Sequence, residues 1–127
     1  MSLNLSQPIL YLITPGATAE TTTPADKEFQ EILHQVAAAV AAEIQLIQLR
    51  EKNLTARVLF ELTERVMEIV RSTSTRVLVN DRADIAAGAG ADGVHLTLQS
   101  LEADVVRKTF GPKVLLTTSA SSDRVVR

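Results

Sequence analysis

The chain has no cysteine and no tryptophan, and aromatic residues make up only 3% of it. Without cysteine there is no disulfide, no thiolate nucleophile and no zinc–thiolate site. So few aromatics leave no platform on which nucleobases could stack. Neither sign of charge dominates. A formal net charge of −2 gives no electrostatic argument for binding nucleic acid or an anionic membrane. No apolar run approaches the roughly 20 residues needed to span a bilayer. The first residues lack the basic region and long apolar core of a signal peptide. A reducing cytoplasm is the expected location. A G-x-G-x-x-G motif is also missing after the first β-like segment, which weakens a dinucleotide-binding reading.

What is present is an ordinary globular composition: 127 residues, 46% hydrophobic and 22% charged. That suffices for one modest domain spanning residues 1–127, with no linker to divide it. Pro8 to Thr14 reads as a buried strand ended by Pro15-Gly16. Thr23-Pro24-Ala25-Asp26 reads as a helix start, with Thr23 as cap and Pro24 in the first turn. Phe29, Ile32, Leu33, Val36, Ala37 and Val40 then mark an apolar helical stripe. Ile44 to Arg50 is the second strand, apolar on both faces as in a covered parallel sheet. Asn53 or Thr55 caps a helix whose stripe is Leu59, Leu62, Val66, Ile69 and Val70. Arg76 to Val79 is the third strand, Ala83 to Ala87 a short helix stopped near Gly88 or Gly90, and Gly93 to Leu96 the fourth strand. Leu101, Val105, Val106 and Phe110 mark a fourth helix, and Lys113 to Thr118 a fifth strand. Asp123 to Arg127 reads as the beginning of one more helix. This alternation implies right-handed parallel β-α-β units, in a barrel or an open doubly wound sheet.

Polar residues collect at the C-terminal ends of strands two, three and four, where both architectures place ligands. After the second strand come Gln48-Leu49-Arg50-Glu51-Lys52. Alternation would put Gln48, Arg50 and Lys52 on one side, converging on an anion. A plain solvated strand exit would need no ligand at all. After the third strand comes Asn80-Asp81-Arg82. Asp81 is a candidate Mg²⁺ ligand, or else the cap of the following helix. Asn80 could bond a heterocycle or satisfy a loop. His95, in the fourth strand, could donate to a ligand or be a satisfied core histidine. His34 falls off its helix's apolar stripe and reads as exposed. Asp92, before Gly93, reads as a turn residue.

Tyr11-Leu12-Ile13-Thr14, Gln48-Leu49-Arg50-Glu51-Lys52, Asn80-Asp81-Arg82-Ala83-Asp84-Ile85-Ala86 and Gly90-Ala91-Asp92-Gly93-Val94-His95-Leu96 together resemble the thiamine phosphate synthase family in order and spacing. The resemblance runs from about Ile9 to Arg127. It implies a (β/α)8 TIM barrel, of which about the first five strands and four helices are expected here. It also implies a reaction. Hydroxymethylpyrimidine pyrophosphate loses pyrophosphate, and the resulting cation is captured by the ring nitrogen of hydroxyethylthiazole phosphate. Carried over by position, Arg50 and Lys52 are the catalytic cations. Gln48, Arg50, Lys52, Asn80, His95 and Ser119 are the substrate-binding set. Asp81 holds Mg²⁺. The implied partners are these small molecules, with no nucleic acid or membrane.

Three departures accompany the resemblance. Ser100 stands where the family carries a second Mg²⁺-binding aspartate. Ser121 stands where the related thiazole tautomerases carry an acid–base histidine, a role serine cannot fill near neutral pH. A complete barrel needs about 200 to 250 residues. Strands six to eight are therefore expected to be absent, and open edges at the first and fifth strands would invite a second copy. The sequence keeps three readings open: a synthase, a non-catalytic homologue binding a phosphorylated pyrimidine, and a tautomerase-like protein.

Overall fold

The computed structural model describes residues 10–96, 107, 111, 115–118 and 125–126. Strands β1 (Tyr11–Ile13), β2 (Leu46–Leu49), β3 (Arg76–Asn80), β4 (Gly93–Leu96), β5 (Leu115–Thr118) and β6 (Val125–Val126) form one sheet. Helices α1 (Lys27–Ala41), α2 (Ala56–Val70) and α3 (Ala83–Ala89) connect the first four strands. Every strand from β1 to β5 lies beside its predecessor in sequence, and all four pairings are parallel. A doubly wound sheet would reverse its strand order at a switch point. The unbroken order is that of a (β/α) barrel segment and decides between the two architectures left open by the sequence.

The apolar stripes behave as expected except at one position of α1, where Ala37 is exposed and Ala39 is buried instead. Phe29, Ile32, Val36 and Ala39 of α1 and Leu59, Leu62, Val66 and Val70 of α2 share one cluster with Ile47, Leu49, Val77, Val79, Val94, Leu96 and Leu116 from the sheet. Phe29, Val36, Leu62 and Val66 are wholly buried. Each such side chain contributes about 1.5–3 kcal/mol relative to exposure. The helices thus cover one sheet face. Alternation puts Gln48, Leu78, Asn80, Gly93, His95 and Thr117 on the other, and none of these belongs to the helix-facing cluster. Both faces are buried along β2 and β4, which accounts for their continuous apolar character.

Several local expectations are corrected. Helix α1 begins at Lys27, not in the Thr23-Pro24 turn. Asp26 Oδ2 accepts from Thr23 N at 2.7 Å, and Thr23 Oγ1 accepts from Ala25 N at 3.3 Å. The two side chains close a preceding turn, so neither caps the helix. Thr55, rather than Asn53, caps α2 by accepting from Val58 N. Helix α3 runs on to Ala89 and stops at Gly90, whose φ of +81° suits glycine. The C-terminal segment read as a helix start instead places Val125–Val126 in β6, antiparallel to β5. β-Branched residues favour a strand, and pairing satisfies part of the β5 backbone edge. The expected open edge at β5 is therefore partly covered, whereas β1 is paired only with β2 among the described residues. The helix expected around Leu101, Val105, Val106 and Phe110 lies outside the described residues. Among those described, no helix is long and apolar enough to cross a membrane.

Candidate functional site

Strand β2 ends at Leu49, and the chain then passes beneath the loop that leaves β1. Thr14 N donates to Gln48 O at 3.0 Å, and Arg50 N donates to Thr14 Oγ1 at 2.8 Å. These bonds bring the two strand exits together. Thr14, Pro15, Gly16, Arg50, Lys52 and Asn53 line an open pocket of about 290 Å³. Arg50 and Lys52 are exposed. Among the described residues neither makes an ion pair. A pocket with two such cations and a glycine backbone in its wall is suited to an oxyanion.

Gln48 does not join Arg50 and Lys52 in this pocket. It is buried, and its Nε2 donates to Tyr11 Oη at 2.8 Å. The expected three-residue convergence is thus divided between two levels, because the regular alternation of β2 stops at Leu49. Gln48 Oε1 is buried without a hydrogen-bond partner among the described residues, and so is Asn80 Oδ1 on β3. Buried acceptors of this kind usually find a donor. Two left open on the same sheet face suit a ligand bearing N–H groups.

Asp81 follows β3 with a φ of +65°, and its N–H donates to His95 O at 2.8 Å. The N-cap position of α3 falls on Arg82, one residue later. Arg82 is engaged by Asp84 through bonds of 3.1 and 2.9 Å. That pair raises the arginine's pKa and lowers the carboxyl's, with the hydrogen bond as the main cause. His95 is buried and meets Thr117 Oγ1 through Nδ1. Burial holds its pKa below the ordinary value, the Arg50 charge lowers it further, and Asp81 acts in the opposite sense. Parallel pairing sets the ends of β2, β3 and β4 side by side, and the Arg50 and Asp81 charges both act on His95. Ser119, Ser100 and Ser121 lie outside the described residues.

Reading the sequence missed some residues and misread another. Glu51 is only 3% exposed and accepts hydrogen bonds from the β1–α1 loop. The available signal was its position between two cations just beyond the end of β2. Tyr11 and Thr117 gained roles only through pairing across the sheet. Asp92 is more than a turn residue. It accepts from Val77 N at 2.7 Å and pairs with Arg76 at 3.2 Å, joining the starts of β3 and β4. His34 is exposed, as expected.

Comparison with known proteins gives this geometry its context. The family model described as thiamine monophosphate synthase matches residues 10–127. A thiamine-phosphate synthase from Moorella thermoacetica is 43% identical over 90 residues, which cover 71% of this chain and 43% of that protein. A putative thiamine-phosphate synthase from Geobacter sulfurreducens is 41% identical over 87% of this chain and 48% of its own length. A thiamine-phosphate synthase from Solidesulfovibrio magneticus is 36% identical over 94% of this chain and 53% of its own length. The chain thus spans about half the length of these relatives. The fold also resembles the solved thiamine phosphate pyrophosphorylase from Pyrococcus furiosus. The TM-score is 0.69 at 24% identity, over 87% of this chain and 48% of that one. The family match takes in all three polar strand ends, and the chain belongs to the thiamine monophosphate synthase family.

Proposed function

We propose that this chain carries the pyrimidine-pyrophosphate half of a thiamine phosphate synthase site. The observation that carries the reading is the pocket shared by Arg50 and Lys52, whose cations make no ion pair among the described residues. The reaction breaks the bond between the pyrimidine methylene carbon and a pyrophosphate oxygen, and the electron pair leaves with pyrophosphate. The thiazole ring nitrogen then donates its lone pair to that carbon. The difficult event is charge separation at the leaving group. Fixed cations stabilise that developing charge most when they are already oriented. Arg50 would grip two phosphate oxygens, and Lys52 would add a point charge. Deeper on the same sheet face, Gln48 Oε1 and Asn80 Oδ1 would accept from the amino group of the pyrimidine. Neutral His95, held through Thr117, would orient the ring without competing for the anion.

Asp81 is the residue that would hold Mg²⁺. No group of three candidate ligands occurs among the described residues. Mg²⁺ nonetheless needs only one or two carboxylates when phosphate oxygens and water complete its shell, so the donor set fits. When bound, the ion would neutralise charge on the departing pyrophosphate. A cysteine-free chain suits the cytoplasm. The β1 edge, with Leu10 and Ile13 exposed, is where a second copy or the remainder of a barrel would pair.

A second reading, a non-catalytic homologue that binds a phosphorylated pyrimidine, is favoured by Ser100 in place of the family's aspartate. One pair of measurements separates the two. Calorimetric titration with pyrophosphate, with and without Mg²⁺, tests the site, and an assay for thiamine phosphate from both substrates tests turnover. Arg50→Ala is expected to weaken pyrophosphate binding by about ten- to a hundredfold, the worth of a hydrogen bond to a charged group. Unchanged affinity in that variant would refute the oxyanion site. Binding without turnover supports the second reading.

A further inference from the structure

We infer that Glu51 is a positioning residue, whose buried carboxylate clamps the β1–α1 loop so that Arg50 and Lys52 address one anion. The inference rests on reading those two cations as the pyrophosphate site. Residues 50 to 52 follow the end of β2. Arg50 and Lys52 line the pocket, while Glu51 between them is buried. A carboxylate flanked by two cations would ordinarily pair with one of them. Instead, Glu51 Oε2 accepts from Gly16 N at 2.8 Å, and Oε1 accepts from Thr18 N at 3.2 Å and Thr18 Oγ1 at 2.6 Å. No ion pair among the described residues includes Glu51, Arg50 or Lys52.

Three donors converging on one carboxylate offset the cost of burying its charge. The arrangement does two things at once. It ties the Pro15–Gly16 wall of the pocket to the segment that bears the cations. It also occupies the one carboxylate close enough in sequence to neutralise them. The loop lies directly over the β2 exit: a Cβ built on Gly16 would stand 3.5 Å from Arg50 O, and Gly16 has a φ of +75°. Released from the loop, Glu51 would be an internal competitor for Arg50 or Lys52.

The test is calorimetric titration with inorganic pyrophosphate, with thermal unfolding recorded on the same samples. Glu51→Ala is expected to weaken pyrophosphate binding by about tenfold or more, the scale on which small misplacements of a site are felt. Glu51→Gln should recover part of that loss, because its amide oxygen can still accept from Thr18. The comparison variant is Thr75→Val. The buried Thr75 hydroxyl donates to Ile44 O at 2.8 Å, at the opposite end of β2. Its loss should lower thermal stability and leave pyrophosphate affinity within about twofold. An affinity loss in Glu51→Ala no larger than that in Thr75→Val would overturn the inference. Should Glu51→Ala not fold, Glu51→Gln and Thr18→Val carry the same comparison, and each must weaken binding more than Thr75→Val does. Arg50→Ala separates the two levels of argument. If it leaves binding unchanged, or if the unaltered chain binds no pyrophosphate, the site reading fails and the role of Glu51 with it. If Arg50→Ala abolishes binding and the Glu51 variants do not weaken it, only the positioning role fails.

Discussion

A methyl group added at Gly93 should separate β4 from β5. Gly93 is in register with Leu78 on one side and Leu115 on the other, on the sheet face shared with His95. A Cβ built there would lie 1.8 Å from Leu115 O, 2.5 Å from Leu115 C and 2.6 Å from Leu115 Cβ. An ordinary carbon–oxygen contact is about 3.3–3.6 Å, so roughly 1.5 Å of separation must be found. Backbone atoms cannot rotate aside as a flexible side chain can. The nearby bond from Leu115 N to Asp92 O, 2.9 Å long, would have to stretch or break. Overpacking costs about 1–3 kcal/mol, and loss of a ladder bond adds about 0.5–1.5 kcal/mol. The entropy removed from the unfolded chain returns about 0.4–1 kcal/mol. Gly93→Ala should therefore destabilise by about 2–3 kcal/mol, measured by urea unfolding. Gly90→Ala provides the contrast. Nothing lies within 4 Å of a Cβ at Gly90, so its cost is the positive φ alone, about 1–2 kcal/mol. Finding Gly93→Ala less destabilising than Gly90→Ala, or within about 0.5 kcal/mol of the unaltered chain, would refute the close approach of β4 and β5.

The His95 environment sets a pH dependence. Its folded-state pKa lies below the ordinary 6.5 through burial and the Arg50 charge, against the opposing pull of Asp81. Below about pH 6.5 the unfolded chain therefore binds more protons, and stability falls as pH falls toward the folded-state value. The urea midpoint in metal-free buffer should drop between about pH 7.5 and 5.5, and His95→Gln should shrink the drop; an equal drop in both chains would count against the argument. Asp92→Ala removes an acceptor for Val77 N and the Arg76 ion pair. It should cost about 1–3 kcal/mol in urea unfolding, and a cost under about 0.5 kcal/mol would mean that the β3–β4 junction does not depend on it.

Much of the scaffold was legible before folding, and for identifiable reasons. The stripes of α1 and α2 were read correctly, apart from Ala37 in place of Ala39, because one-sided burial imposes a period on the sequence. β4 was placed correctly at Gly93–Leu96 because glycine and proline punctuation bounded the segments around it. The start of α1 was misread because Thr23 and Asp26 have the chemistry of caps but use it on the backbone N–H groups of Ala25 and Thr23 in the preceding turn. The Val125–Val126 pairing was missed because two residues show no period, and an antiparallel partner is visible only once β5 is in place.

The site divides along the same line. Arg50, Lys52, Asn80, Asp81 and His95 could be picked out as candidates by their chemistry, because each lies at or near the C-terminal end of an apolar strand. Residue order alone also indicated that these strand ends face one region, since parallel strands share a direction. Tertiary structure decided how the groups are distributed. It sent Gln48 down to Tyr11, tied His95 to Thr117 and joined Glu51 to Gly16 and Thr18. Each of those partners is more than twenty residues distant in sequence. A strand's own sequence determines its alternation, but not which neighbour the pairing register brings opposite. The residue types therefore point to a candidate anion site, and the register determines which side chains line the Arg50–Lys52 pocket and which are bonded within the fold.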